Sequence, residues 1–452
     1  MAEEKLTKEQ LLEKAKKPAK DAMELHPFYK GKVGVASKAC IRGLDDFAIW
    51  YTPGVAAPCR DIAENPERVW DHTNKGNFVA VVSDGTRVLG LGDIGPEAGL
   101  PVMEGKALLF KYLGGVDAFP ICLDCHEPEE IISAVKWLQP TFGGINLEDI
   151  SKPKCFTVLD RLRKECRIPV WHDDQQGTAA VTVAGLINGL KVVGKAMDQV
   201  KVVLNGAGAS NIRIAHLIIQ AGIKPGNVIL CDSRGTLHKG RSELQAQEPF
   251  KWELVEITNE QQLDGSTADA MKGADVLISL SKSGPGVIQP DWVSSMASGA
   301  VVFVCANPVP EIWPWEALEA GAEVVATGRS DFPNQVNNSL GFPGIFRGTL
   351  DVRASTITDE MCLEAALELA RTAEDRGLSK ESLLPTMDDW EVFPREAAAV
   401  GMKAIEQGVA KLTDVTREDL RCQAEAIIKN AREEAHCMQR EGFIRLPPAC
   451  TE

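Results

Sequence analysis

The chain has little tyrosine: three in 452 residues, with aromatics at only 6%. It is also short of positive charge. Lysine and arginine number 49 against 64 aspartates and glutamates, a net charge of -15. Such a chain repels nucleic acid and anionic membrane, and neither is expected as a partner. No apolar run approaches the roughly 20 residues of a membrane span. The opening residues, Met1-Ala2-Glu3-Glu4-Lys5, lack the apolar core of a signal peptide. Without an export signal, the twelve cysteines read as reduced thiols of a cytoplasmic protein, not a disulfide framework. The motif Cys122-Leu123-Asp124-Cys125-His126 has the C-x-x-C-H haem-attachment pattern, but haem c is attached outside the cytosol. No second C-x-x-C is present to complete a four-cysteine zinc site, so core packing is the reading. Repeats and low-complexity tracts are absent.

What is present is an ordinary globular composition, 44% hydrophobic and 25% charged, long enough for two or three domains. An amphipathic helix is expected over Lys5 to Leu25, with Thr7 and Gln10 as a capping box, then a loop from His26 to Lys32. Asn77 to Val82 reads as a strand. Ser83-Asp84-Gly85-Thr86 reads as an Asp-Gly hairpin turn into a second strand, Val88 to Gly92. An apolar helix, Ala107 to Leu113, is expected to start directly after Lys106. From Asp117 the pattern alternates strand and helix: Asp117 to Leu123, Glu127 to Leu138, Gly144 to Leu147, Lys154 to Glu165 and Ile168 to Trp171. That is βαβ periodicity with a parallel sheet.

The centre of the chemistry is Trp171-His172-Asp173-Asp174-Gln175-Gln176-Gly177-Thr178. It joins a strand to the apolar helix Ala179 to Val193, and α/β proteins place ligands at such turns. A second acidic pair, Glu148-Asp149, ends the strand Gly144 to Leu147. A lone Asp at that turn is a helix cap. Two acidic pairs on two strand ends instead favour a hard divalent cation, Mg²⁺ or Mn²⁺. Tyr51 stands beside the forced turn Pro53-Gly54, where a half-buried aromatic with a satisfied hydroxyl is the plain reading. Lys106 is either surface charge or a lysine tuned by a helix N-terminus for base work.

The next unit runs Val200 to Leu204, then Gly206-Ala207-Gly208-Ala209-Ser210-Asn211, then an apolar helix Ile212 to Ala221 and a strand Asn227 to Cys231 ending at Asp232. This is the G-x-G-x-x-G context with Asn211 in place of the third glycine. Phosphates would rest on the helix N-terminus, and Asp232 would bond a ribose hydroxyl. Strands at Val276 to Leu280, Ala300 to Cys305 and Glu323 to Ala326 extend the same sheet. Asn337-Asn338 before Gly341-Phe342-Pro343-Gly344 are either turn residues or carboxylate holders. A helical tail follows, with Ile357 to Arg371, Arg395 to Gln407 and Arg417 to His436. Thr416 is a credible cap, whereas Thr358 with Met361 forms no capping box.

Taken together, these stretches resemble the malic enzymes of the short, bacterial type, from about Pro27 to Glu441. The matching segments are Tyr51-Thr52-Pro53-Gly54-Val55-Ala56, Gly90-Leu91-Gly92-Asp93-Ile94-Gly95-Pro96, Pro101-Val102-Met103-Glu104-Gly105-Lys106, Leu147-Glu148-Asp149, His172 to Thr178, Asn307-Pro308 and Asn337-Asn338. The resemblance implies an α/β fold in three parts. Residues 1–160 form a substrate and metal domain, residues 161–390 a Rossmann-like doubly wound NAD(P) domain, and residues 391–452 helices packing back on the first domain. It implies Glu148, Asp149 and Asp174 as metal ligands, Tyr51 as general acid, Lys106 as general base, and Asp173 as the partner that orients Lys106. Asn307 and Asn338 would contact substrate, and Asn307 also the coenzyme. Arg87 stands where longer members carry a substrate arginine and many short ones have alanine. The implied reaction is oxidative decarboxylation of malate to pyruvate and CO2 by a homodimer. The hydroxyl loses a proton as hydride leaves, CO2 departs, and C3 is protonated, which calls for both a base and an acid.

Two alternatives keep most of these residues. One is a malolactic conversion of malate to lactate with tightly held NAD; the other is a coenzyme-sensing protein with a dead site. No member of the implied site is missing, which speaks against the second. Coenzyme choice is divided: Asp232 favours NAD, while Ser233-Arg234-Gly235 and Lys239-Gly240-Arg241 offer cations for a 2′-phosphate, unless these are solvated turn charges. Arg234 is the expected source of NADP activity. No phosphotransacetylase-like extension follows the tail, so fusion-linked regulation is not expected.

Overall fold

The computed structural model describes residues 8–448. Two sheets organise it. The first has four parallel strands in the order β2-β1-β3-β4: β1 Phe78–Ser83, β2 Asp117–Cys122, β3 Gly144–Leu147 and β4 Val170–His172. Helices Pro96–Gly114, Pro128–Leu138 and Lys154–Glu165 connect them in turn. The second sheet is ordered β10-β9-β8-β5-β6-β7. It comprises β5 Val202–Asn205, β6 Val228–Asp232, β7 Gly235–Thr236, β8 Val276–Ser279, β9 Ala300–Val304 and β10 Ala322–Thr327, all parallel except the short edge strand β7. Val79 to Val82 and Val202 to Leu204 are fully buried. Such continuous apolar runs are what a parallel sheet needs when helices cover both faces.

The helix Thr178–Val193 leaves the first sheet and lies against the second, where Gly185 and Gly189 let Phe303 and Val301 approach. The last helices, Val392–Glu406 and Arg417–Arg440, pack on Phe342–Asp351 and on Pro96–Gly114. Lys111 meets Glu434 at 3.0 Å across that contact.

Several local expectations are corrected. The Asp-Gly hairpin does not form, because β1 already pairs in parallel with β2 and β3 on its two sides. Residues 84–95 are instead a loop, with Val88 and Gly92 meeting in an isolated bridge. The Asp84 side chain accepts from Thr86 and pairs with Lys154 at 2.5 Å. Lys106 does not begin a helix. It lies inside Pro96–Gly114, which runs through Pro101, so the helix N-terminus has no part in its behaviour. The residues between His26 and Tyr29 are helical, not loop, as part of Lys8–Tyr29. The Tyr29 hydroxyl donates to the Arg445 carbonyl at 2.9 Å and anchors that last turn. The Thr7 cap lies outside the described residues. Phe342-Pro343-Gly344 opens a helix, with proline in the first turn where its missing N–H costs nothing. Thr358 does cap its helix: its hydroxyl accepts from the Met361 N–H, and its own N–H reaches the Met361 sulfur at 3.5 Å. Thr416 caps as expected, in reciprocal bonds with Asp419.

Candidate active site

The register of β3 against β4 pairs Leu147 with His172. The next two residues on each strand are Glu148-Asp149 and Asp173-Asp174, so both acidic pairs emerge side by side at the carboxyl end of one sheet. Glu148, Asp149 and Asp174 offer oxygens that all lie within 4.8 Å of one another. Asp149 adopts φ of 53°, rare for a residue with a side chain. In that conformation its N–H donates to Asp174 Oδ2 at 2.9 Å, while Oδ2 of its own carboxylate is buried without a partner. Burial raises Glu148 well above the usual carboxylate range, against the pull of Lys106 and with the push of Asp173, Asp174 and Asp149. Burial and the neighbouring Asp174 push Asp149 up to about 8. A cluster of this kind is short of one compact, highly charged cation. Its all-oxygen donor set fits Mg²⁺ or Mn²⁺.

Lys106 reaches the cluster from the helix Pro96–Gly114. Only 7% of its side chain is exposed. Nζ lies 2.5 Å from Asp173 Oδ2 and 3.0 Å from Glu148 Oε1, over the Phe342 ring at 4.3 Å. Burial opposes its charge, but Asp173 and Glu148 outweigh burial and hold the ammonium above its ordinary value. Asp173 is itself fixed by the buried Trp171, whose Nε1 donates to Oδ1 at 3.1 Å. Asn146 donates to Glu148 Oε2 at 2.8 Å. Asn146, Trp171 and Phe342 were not among the site residues expected from sequence. The first two carried a signal: a polar or N–H-bearing side chain two residues from a site carboxylate lies on the same strand face.

One cleft of about 1320 Å3 joins this cluster to the second sheet. Lys106, Glu148, Asp149, Asp174, Arg87, Asn307, Asn337 and Asn338 line it, as do Gly206, Gly208, Ala209, Ser210, Asp232 and Arg234. Gly206 has φ of 99°, and a Cβ there would meet the Leu280 carbonyl at 2.5 Å, so the turn demands glycine. Ser210 Oγ donates to the Asp174 carbonyl at 2.8 Å and ties the glycine turn to the acidic one. Asn211 is buried and does not line the cleft. Its amide donates to the Asn205 and Gly206 carbonyls at 2.9 and 2.7 Å and braces the turn from behind. Asn337 divides the two readings of the asparagine pair: it accepts from the Ser339 N–H at 2.9 Å as a turn cap, while both asparagines line the cleft. Arg87 Nη1 donates to the Leu89 carbonyl at 3.0 Å. Glu311, also not expected, is buried and accepts from the Ser281 and Ala306 N–H groups, holding two loops that line the cleft.

Of the two groups expected to move protons, Tyr51 is the exception. Its side chain is not half-buried but 71% exposed, and it does not line the cleft. Val35, Leu44, Phe47, Ile49, Trp50 and Val55 around it in sequence are exposed too. Cys122 and Cys125, at and just past the end of β2, are half-buried and pack against the hydrophobic core, as expected.

Known proteins match over most of the chain. The family model for the malic enzyme N-terminal domain matches residues 31–130 and 125–163, and that for the malic enzyme NAD binding domain matches residues 175–405. A bifunctional malic/malolactic enzyme of Bacillus subtilis is 51% identical over 393 residues, 87% of this chain and 94% of that protein. A NAD-dependent malic enzyme of Geobacillus stearothermophilus is 48% identical over 385 residues, 85% of this chain and 79% of that protein. The crystal structure of Entamoeba histolytica malic enzyme superposes with a TM-score of 0.96 at 49% identity, covering 98% of this chain and 93% of that one.

Proposed function

The chain belongs to the malic enzyme family, and from that premise we propose that it converts malate to pyruvate and CO2 while reducing NAD or NADP, with Glu148, Asp149 and Asp174 holding a divalent cation. One observation carries the reading: a buried lysine, clamped by Asp173, faces three converging carboxylates in the same cleft as a glycine-rich dinucleotide turn. A bound cation would polarise the substrate oxygens and offset the carboxylate charge that now holds Lys106 as ammonium.

Lys106 has its part at Nζ, taking the proton of the substrate hydroxyl, and a nicotinamide held over the glycine turn would supply the hydride acceptor. Asp173 keeps Nζ aimed and stabilises the ammonium that results. Asn307, Asn338 and Arg87 hold the substrate carboxylates. Tyr51 protonates C3 after CO2 has left. Gly206, Gly208, Ala209 and Ser210 receive the coenzyme phosphates, and Asn211 keeps their turn closed. The division 1–160, 161–390 and 391–452 remains our proposal; the Lys111–Glu434 contact supports a tail that packs back on the first part.

The homodimer belongs to the same proposal. Its support is the run of exposed apolar side chains from Val35 to Val55, more than a monomer leaves uncovered without reason. Tyr51 lies within that run. A cytoplasmic place is supported by the cysteines, all free among the described residues. No described helix is long and apolar enough to cross a membrane.

Spectrophotometric turnover of malate with NAD or NADP, with and without Mn²⁺, tests the reading. Metal-dependent growth of nicotinamide absorbance with equimolar pyruvate is expected; its absence would refute it. The bifunctional relative favours one second outcome: lactate formed from malate without net coenzyme reduction.

A further inference from the structure

Asp232 ends β6, where a carboxylate ordinarily bonds the adenosine ribose diol and repels a 2′-phosphate. Here it has no bonding capacity to spare. A carboxylate has about four lone-pair sites. Oδ1 accepts from the Arg234 N–H at 2.9 Å and from Arg241 Nη1 at 2.8 Å. Oδ2 accepts from Arg241 Nη2 at 2.9 Å and from Lys251 Nζ at 3.2 Å. Burial works against the charge, yet these donors, Arg241 first, hold Asp232 down to about 2. A ribose hydroxyl could bond it only by displacing a charged donor.

The donors are better placed for a ligand than Arg234. Arg241 and Lys251 are 10% and 4% exposed and line the cleft beside Asp232. Arg234 also lines the cleft, but it is 59% exposed and its Nη2 is engaged by Glu243. Lys239 does not line the cleft. Arg241 also gives Nε to Glu243 at 3.5 Å and Nη1 to the Thr236 carbonyl at 3.4 Å, which leaves one Nη2 hydrogen unspent. Lys251 gives a second hydrogen to Glu248 at 2.6 Å and keeps one. Arg234, Arg241, Lys251 and Lys152, the last 3.6 Å from Glu248, meet the carboxylates Asp232, Glu243 and Glu248 and leave the cluster one positive charge in excess. Such a balance does not reject a phosphomonoester.

We propose that Arg241, held by Asp232, decides coenzyme choice: with Arg241 in place the cleft accepts a 2′-phosphate as well as a ribose diol, and without it Asp232 selects the diol. The planar guanidinium can turn its fork from the Asp232 carboxylate to phosphate oxygens of like geometry. The assignment rests on reading the cleft as a coenzyme site, and it assigns to Arg241 what Arg234 was expected to supply.

The test is calorimetric binding of 5′-AMP and 2′,5′-ADP to the full-length protein, because these ligands differ only in the 2′-phosphate. Wild type is expected to bind both. Arg241→Ala should weaken 2′,5′-ADP by about 10- to 100-fold, the size of lost hydrogen bonds between charged groups, and leave 5′-AMP unchanged or tighter. Lys251→Met should act in the same direction. Arg234→Ala should change either ligand by less than about threefold, as for an exposed ion pair. Parallel loss of both ligands in Arg241→Ala would mean a structural role and overturn the proposal, as would selective loss in Arg234→Ala. If Arg241→Ala does not fold by circular dichroism, Arg241→Lys serves: it keeps the charge, lacks the fork, and should weaken 2′,5′-ADP alone. Wild type that binds 5′-AMP but not 2′,5′-ADP would sink the Arg241 assignment only. Wild type that binds neither would sink the coenzyme reading with it.

Discussion

Lys106 and Tyr51, the two groups expected to move protons, sit in opposite surroundings. Lys106 is buried, charged and held at 2.5 Å by a carboxylate that Trp171 holds in turn. Tyr51 is exposed, outside the cleft, on a stretch whose apolar neighbours are exposed as well. The surroundings of Lys106 are thus built within one chain, because the register of β3 against β4 brings Asp173 and Glu148 under the helix that carries it. Tyr51 has no such enclosure. Local sequence supplied a tyrosine beside a turn, and on our proposal a second subunit that covers the apolar stretch brings it to the substrate.

The largest effects separate the two groups. Lys106→Ala should abolish malate oxidation, and Tyr51→Phe should chiefly impair protonation of enolpyruvate, each by about 10²- to 10⁴-fold. The two defects are read separately, as nicotinamide absorbance with malate and as enolpyruvate tautomerisation. A Tyr51→Phe loss below tenfold in both assays would remove its role. The contrast sharpens when the two variants are co-expressed. If a partner subunit supplies the acid, mixed dimers carry one intact site in two, and about a quarter of wild-type activity returns. If each chain uses its own tyrosine, no activity returns.

The same contrast explains what the sequence made legible. Both acidic pairs, the glycine turn and the parallel strands could be read because each depends on a few adjacent residues and on strand ends. The helix Pro96–Gly114 was cut short because Gly99, Pro101 and Gly105 look like breakers, although burial of Met103 and Phe110 holds it together. The false hairpin at Asp84-Gly85 arose because turn chemistry does not reveal that both sides of β1 are already paired. Tyr51 was expected to be half-buried, and Arg234 was preferred to Arg241 as the 2′-phosphate cation, for the same reason. Exposure and a full set of bonds on a carboxylate are tertiary facts, and no local pattern encodes them.

A smaller effect tests whether the acidic cluster is a cation site in its own right. Mn²⁺ at a hundred times its dissociation constant should stabilise the wild-type fold by about 2.7 kcal/mol. A thermal shift should reveal that gain without any turnover. Asp149→Asn removes a ligand and part of the mutual repulsion, so it should lose the shift while its metal-free melting temperature stays level or rises. An Mn²⁺ shift equal to that of wild type would show that the cation binds elsewhere.

The smallest effect uses a buried carboxylate outside both regions to ask what burial does without partners. Glu396 is buried like Glu148, but neither of its oxygens has a hydrogen-bond partner among the described residues. Burial, then repulsion from Glu368, raises it well above its ordinary value. Its sign is opposite to that of a salt-bridged acid. Below about pH 4.5 both folded and unfolded chains are protonated there, and the group adds no pH dependence. Above that, the unfolded chain ionises first while the folded chain keeps its proton. Stability therefore falls as pH rises, by about 1.4 kcal/mol per pH step, until the folded group ionises too. Glu396→Gln keeps the shape and cannot ionise. Its melting temperature should fall less than that of wild type between pH 5 and pH 8 (roughly the span where the two states differ in protonation), and it should be the more stable protein at the upper end. Parallel melting curves across that range would show that Glu396 does not hold its proton in the folded chain.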